Sequence, residues 1–111
     1  MSSPSTLTIK TNALKRLIKE KSVNEAELLE HKEAVQKLEQ KINSDPYDEE
    51  SVYVLKKQRE IYEETKNIIP ALQEKINDTV KSLKEYIKKT DGLSNDELQI
   101  ANQVIESLAT L

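Results

Sequence analysis

One histidine, His31, two glutamate doublets and two runs of lysine and arginine are the side chains here whose types and spacing suit chemistry. An imidazole that titrates near neutral pH can act as a general base or bind a metal. His31 has no second histidine and no cysteine to complete a ligand set, and its neighbours Glu27 and Glu30 belong to a chain rich in glutamate throughout. It reads as a histidine at a helix seam. The doublets Glu49/Glu50 and Glu63/Glu64 would do acid–base work only in a pocket that pushes their pKa values apart. With no Trp, no Phe and four Tyr, there is little side-chain mass to enclose such a pocket. A single glycine excludes a G-x-G-x-x-G turn or a phosphate loop. These residues predict a protein that is not an enzyme and needs neither metal nor cofactor.

The basic clusters are Lys10, Lys15, Arg16, Lys19 and Lys21, then Lys56, Lys57 and Arg59. Nucleic-acid binding would call for a basic domain or interleaved aromatic residues, and neither is present. A membrane surface would need bulky apolar residues opposite the charge. Leu14, Leu17 and Ile18 are available, but a bundle core has first use of them. Two readings stay open: solvated faces with i,i+4 support, such as Lys56 with Glu60, or contact with an acidic protein partner. Tyr62 and Tyr86 fall in the apolar register and are read as core. Tyr47 and Tyr53 stand at a connection, where interface contact and loop stapling are equally good readings.

The elements that must position these groups are helices. The chain has 111 residues, 36% hydrophobic and 33% charged, which suits the narrow seam of a helical bundle better than a thick spherical core. The formal net charge is −3, from 17 basic and 20 acidic side chains mixed along the chain. The lack of cysteine excludes disulfides and fits a reducing compartment. No apolar run reaches membrane-spanning length, and "MSSPSTLTIK" lacks the apolar core of a secretory signal. A cytosolic protein is expected.

Residues 1–10, small and polar around Pro4, read as a flexible arm. A first helix is predicted from about residue 12 to 42, with Thr11 as its cap. Steps of seven from Leu14 meet Lys21, Leu28, Val35 and Ile42, and Leu17, Asn24, His31 and Leu38 lie three residues on. The polar breaks at Lys21, Asn24 and His31 suit a bundle sealed by other helices better than a long two-stranded coiled coil. In "NSDPYDEE", Asp45 is a candidate cap and Pro46 a candidate first helical residue. Steps of seven from Leu55 give Tyr62, Ile69, Ile76 and Leu83, flanked by Val54, Ile61, Ile68, Leu72, Val80 and Ile87. That register passes through Pro70 without slipping, and "IIPAL" has no turn-forming residue. Pro70 is therefore read as a kink in one continuous helix. Gly92 supplies a left-handed stop after Lys88 and Lys89. Ser94 to Glu97 fits a capping box for a short third helix with Leu98, Ala101, Val104, Ile105, Leu108 and Leu111 inward. The expected fold is all-α: one domain over residues 1–111, an elongated antiparallel three-helix bundle.

The segments "IKTNALKRLIKE" (9–20), "DPYD" (45–48), "LKKQREI" (55–61) and "ETKNIIPALQEKI" (64–76) occur in the order seen in the tubulin-specific chaperone A family, which this chain resembles over residues 9 to about 90. One feature departs from the family pattern: "EESVYV" (49–54) intervenes between "DPYD" and "LKKQ", which predicts a longer connection or an added turn. The resemblance implies a three-helix rod that binds β-tubulin after chaperonin release and passes it on towards α/β-tubulin assembly. Cytoplasmic, cytoskeleton-associated work without nucleotide or metal follows from it, with other tubulin-folding cofactors as further candidate partners. Carried over by position, the candidate contacts are Lys15, Arg16 and Lys19, then Lys56, Lys57 and Gln58, with Tyr47 and Asp48 at the connection. Pro70 and Gly92 are assigned structural roles. A monomer or weak homodimer is expected, with no nucleic acid and no membrane as partner. A regulatory helical adaptor of the membrane-fusion type and a coiled-coil scaffold share the periodicity and stand as the alternative functions.

Overall fold

The computed structural model describes residues 4–109, which form three α-helices: α1 (Thr6–Ser44), α2 (Glu49–Lys89) and α3 (Asn95–Leu108). There is no strand among the described residues. The predicted all-α class and helix count hold, while several boundaries move for identifiable reasons.

α1 starts at Thr6, six residues before the expected start, so the second half of the supposed arm, residues 6–10, is helix. Ser5 is the cap: its Oγ accepts a hydrogen bond from the Thr8 N–H at 3.1 Å, and its carbonyl accepts from the Ile9 N–H. Thr11 is interior and buried, and its hydroxyl donates to the Leu7 carbonyl at 2.8 Å. The reason for the early start is Leu7, which sits seven residues before Leu14 and is only 1% exposed. Burying one such side chain is worth about 1.5–3 kcal/mol, enough to extend a helix whose first turn carries no acidic residue.

α2 begins at Glu49, and its cap is Asp48 rather than Asp45. Pro46 lies in the connection and not in the first turn. Residues 49–54 are helical, so "EESVYV" adds turns to α2 rather than lengthening the loop. The helix then continues through Pro70 to Lys89. Gly92 has φ +73, the left-handed conformation expected of a helix stop, with nothing within 4 Å of where a Cβ would stand. Its glycine answers a backbone requirement and not a packing one. At α3 only half of the capping box forms. Ser94 accepts from the Glu97 N–H at 3.5 Å, but the Glu97 carboxylate accepts a hydrogen bond from Ser5 Oγ at 2.6 Å instead of reaching back.

The chain divides into two compact units. The first comprises the chain up to Glu20 and from Leu72 onward, and holds the N-terminal part of α1, the C-terminal part of α2, and α3. Its core is Leu7, Leu14, Ile76, Leu83 and Ala101, with Leu17, Ile18, Val80, Ile87, Leu98 and Val104 among the residues packed around it. Ala101 is fully buried, and its short side chain lets α3 approach closely. Ile105 and Leu108 join this core as expected, whereas Leu111 lies outside the described residues.

The second unit, residues 21–71, is a hairpin of two antiparallel helical segments joined at 45–48. Gln58 bonded to His31 and Lys41 paired with Asp48 fix its register. Two helices can cover only one strip of each other. In this unit only Ser51, Leu55 and Thr65 are buried, and two of those three are polar. The Ser51 hydroxyl donates to Asp48 at 2.6 Å and that of Thr65 to the Ile61 carbonyl at 3.0 Å, so their burial leaves no bond unmade. Val54, Ile61 and Ile68, expected to flank the seam, are instead 42–43% exposed.

Candidate docking surfaces

The candidate residues fall into two sets on separate units. Lys15, Arg16 and Lys19 are all exposed, on the α1 segment of the first unit. Tyr47, Asp48, Lys56, Lys57 and Gln58 lie on the second. Within that set the structure separates groups facing solvent from groups engaged inside the chain. Tyr47 is 91% exposed at the hairpin tip, its N–H donating to Asp45 Oδ1 at 3.3 Å. Lys56 is exposed and helps line an open groove of about 730 Å³ with Val52, Leu55, Arg59, Glu60 and Glu63. Lys57, rather than Lys56, pairs with Glu60, at 3.7 Å, and its ammonium lies 5.7 Å from the centre of the exposed Tyr53 ring.

Gln58 and Asp48 have internal partners. Gln58 turns into the hairpin seam, where its Nε2 is 3.1 Å from His31 Nδ1. An amide N–H only donates, so the ring nitrogen accepts and the two side chains form a polar layer between α1 and α2. His31 is thus the half-buried seam residue expected from the sequence, and its partner is a glutamine that periodicity alone did not single out.

Asp48 caps α2 through both carboxylate oxygens: Oδ1 accepts from the Ser51 N–H at 3.0 Å and Oδ2 from the Ser51 hydroxyl. Lys41 adds an ion pair at 3.7 Å. The Ser51 hydroxyl bond, then its N–H bond and the nearby Lys41 charge, hold the Asp48 pKa below the ordinary aspartate value, outweighing partial desolvation. A lowered folded-state pKa adds stability above the unfolded value, and that contribution is lost as pH falls through the folded one. Ser51→Ala is therefore expected to raise the Asp48 pKa towards normal and to shrink the acid-side fall in stability. An NMR titration of the Asp48 carboxyl, with thermal unfolding across acid pH, checks both.

Sequence reasoning missed Ser5 and Ser51. Both are short hydroxyl side chains, one before a helix and one just inside it, and their signal is the polar–apolar pattern "STL" and "DEES" at helix starts. No group of three or more His, Cys, Asp or Glu among the described residues is placed to hold a metal ion. Among the described residues no helix is long and apolar enough to cross a membrane.

Three helices, with candidate contacts on exposed helical faces and at a hairpin tip, define the class: a helical-bundle protein that offers faces rather than a cleft. Comparison with known proteins narrows this. The family profile for tubulin binding cofactor A matches residues 2–105. Tubulin-specific chaperone A of Saccharomyces cerevisiae is 36% identical over 108 residues, covering 97% of this chain and 94% of that protein. The Rattus norvegicus tubulin-specific chaperone A is 31% identical over 101 residues, covering 90% and 87%. The solved structure of Rbl2p, a β-tubulin binding post-chaperonin cofactor, superposes with a TM-score of 0.71 at 34% identity, over 95% of this chain and 99% of that one. The chain belongs to the tubulin binding cofactor A family.

Proposed function

We propose that this protein is a non-catalytic cytoplasmic holdase that binds β-tubulin released from the chaperonin and hands it on for assembly with α-tubulin. The observation that carries this reading is near full-length similarity to a structure named as a β-tubulin binding post-chaperonin cofactor. Exposed charged helical faces supply the physical means. Lys15, Arg16 and Lys19 on one unit and Lys56 and Lys57 on the other can meet acidic partner groups, favouring fast encounter and release by exchange. The hairpin tip with Tyr47 is a further contact. The protein acts as a monomer or weak homodimer and needs no cofactor, and other tubulin-folding cofactors are candidate partners in the transfer.

Sizing chromatography with β-tubulin and, separately, with α-tubulin tests this at low and moderate salt. A stoichiometric complex with β-tubulin alone is expected, weakened by salt because screening shortens to about 8 Å at physiological ionic strength. Failure to bind either subunit from a well-folded helical sample would overturn the reading and bring the adaptor function forward.

A further inference from the structure

In the hairpin unit, eight large apolar or aromatic side chains are exposed, among them Val23, Val54, Ile61 and Ile68. Val54, Ile61 and Ile68 recur every seven residues, so they form one stripe along α2. Leu55, Tyr62 and Ile69 stand one residue further on, at the seam. The Arg59–Glu39 pair, at 3.4 Å, bridges α1 and α2 on one flank. By helical geometry the stripe lies on the other flank. The antiparallel register set by His31–Gln58 and Lys41–Asp48 brings Val23 of α1 level with the Ile68 end of the stripe.

The charges along this flank are sorted but for Glu50, the one anion beside Val54. Lys37, Lys41 and Lys57 lie around Val54, and Glu27, Glu30 and Glu64 around Ile61, by the same register. Those three glutamates are exposed, and none forms an ion pair among the described residues. A strip of apolar residues with cations at one end and anions further along complements the dipole of a helix, positive at its N-terminus and negative at its C-terminus. The groove beside Arg59 is lined by residues of α2 alone, whereas side chains of both helices border the stripe, so a helix seated on the stripe meets two helices rather than one.

We propose that this flank receives an amphipathic helix of β-tubulin, whose apolar face packs on Val54, Ile61, Ile68 and Val23. Its N-terminal half, with basic side chains, lies over Glu27, Glu30 and Glu64, and its C-terminal end lies by Lys37 and Lys57. The docked helix therefore runs antiparallel to α2. It completes a three-helix arrangement in a unit that has two helices of its own. The proposal rests on β-tubulin being the partner and specifies where and in which direction one of its segments binds.

The test uses the full chain in three forms: unaltered, Ile61→Glu/Ile68→Glu, and Leu29→Glu as a control at an exposed leucine outside both surfaces, whereas Val52 borders the Lys56 groove. Both variants replace exposed side chains, so circular dichroism should show unchanged helix content. The double variant is expected to bind β-tubulin at least about tenfold more weakly, and the control to stay within about threefold. Equal binding by all three would overturn the docking surface while leaving β-tubulin binding intact. If the unaltered chain does not bind, the functional reading fails before the variants are compared. Direction is read separately, because the chain has no cysteine. Photo-crosslinkers on Val54→Cys and Ile68→Cys should map to one β-tubulin helix, the Ile68 site to its N-terminal side. The reverse order would overturn the dipole argument. Self-association removed by Ile61→Glu/Ile68→Glu would overturn the proposal in favour of a second copy of this chain.

Discussion

Leu83→Ala is expected to lower the unfolding free energy by about 3–4 kcal/mol, a large fraction of the roughly 5–15 kcal/mol that holds a small domain folded. Leu83 is fully buried in the cluster with Leu7, Leu14, Ile76 and Ala101, where segments of all three helices meet. Truncation there removes the transfer energy of the side chain and leaves a cavity that neighbours from three helices cannot all close. Leu55→Ala in the hairpin is the comparison. Leu55 is 6% exposed and lies against a single partner helix, in a seam shared with Ser51, Gln58 and Thr65. Water can reach the space left behind, so the loss is expected nearer 2 kcal/mol. Urea unfolding followed by circular dichroism measures both. Equal losses would mean that the hairpin seam is as tightly closed as the three-helix core.

The same contrast explains which parts of the fold were legible in the sequence. Steps of seven found Leu14, Leu55, Ile76 and Leu83, because a residue facing a partner helix must recur at that period. They also selected Val54, Ile61 and Ile68, which recur at the same period on the neighbouring strip and are exposed. Periodicity identifies parallel strips on a helix, but which of them is covered depends on how many helices surround it. Hydropathy passed over Ser51 and Thr65 for a related reason. Each is buried because its hydroxyl bonds within its own helix region, and that compensation is invisible in a hydrophobic count. Leu7 was legible one step of seven before Leu14, but Pro4 and the small polar residues around it suggested an arm. The exposed lysines of the candidate surfaces came from the family pattern, since surface charge carries no periodic signal of its own. Gln58, drawn from that same pattern, sits in the seam with His31.

Pro70→Ala is expected to make the protein more stable, by about 2–2.5 kcal/mol. Proline lacks the N–H that would donate to the Lys66 carbonyl one turn earlier, and its ring crowds that carbonyl, a penalty of roughly 3 kcal/mol in a helix interior. Alanine restores the donor and relieves the crowding. Against this, the unfolded chain becomes more flexible, which returns about 0.4–1 kcal/mol. Pro70 is itself exposed, so no cavity opens when the ring is removed. Pro46→Ala, in the connection, changes no helical bond and should stay within about 0.5 kcal/mol. Chemical denaturation of the two variants separates the outcomes. A gain at Pro70 would mean that the helix carries a local penalty its own packing does not need, and β-tubulin capture by the stabilised variant would then show whether partner binding does. A loss would place the requirement in the fold. Half-buried Ile69 and buried Leu72, on either side of the proline, would then owe their packing to the backbone path that Pro70 imposes.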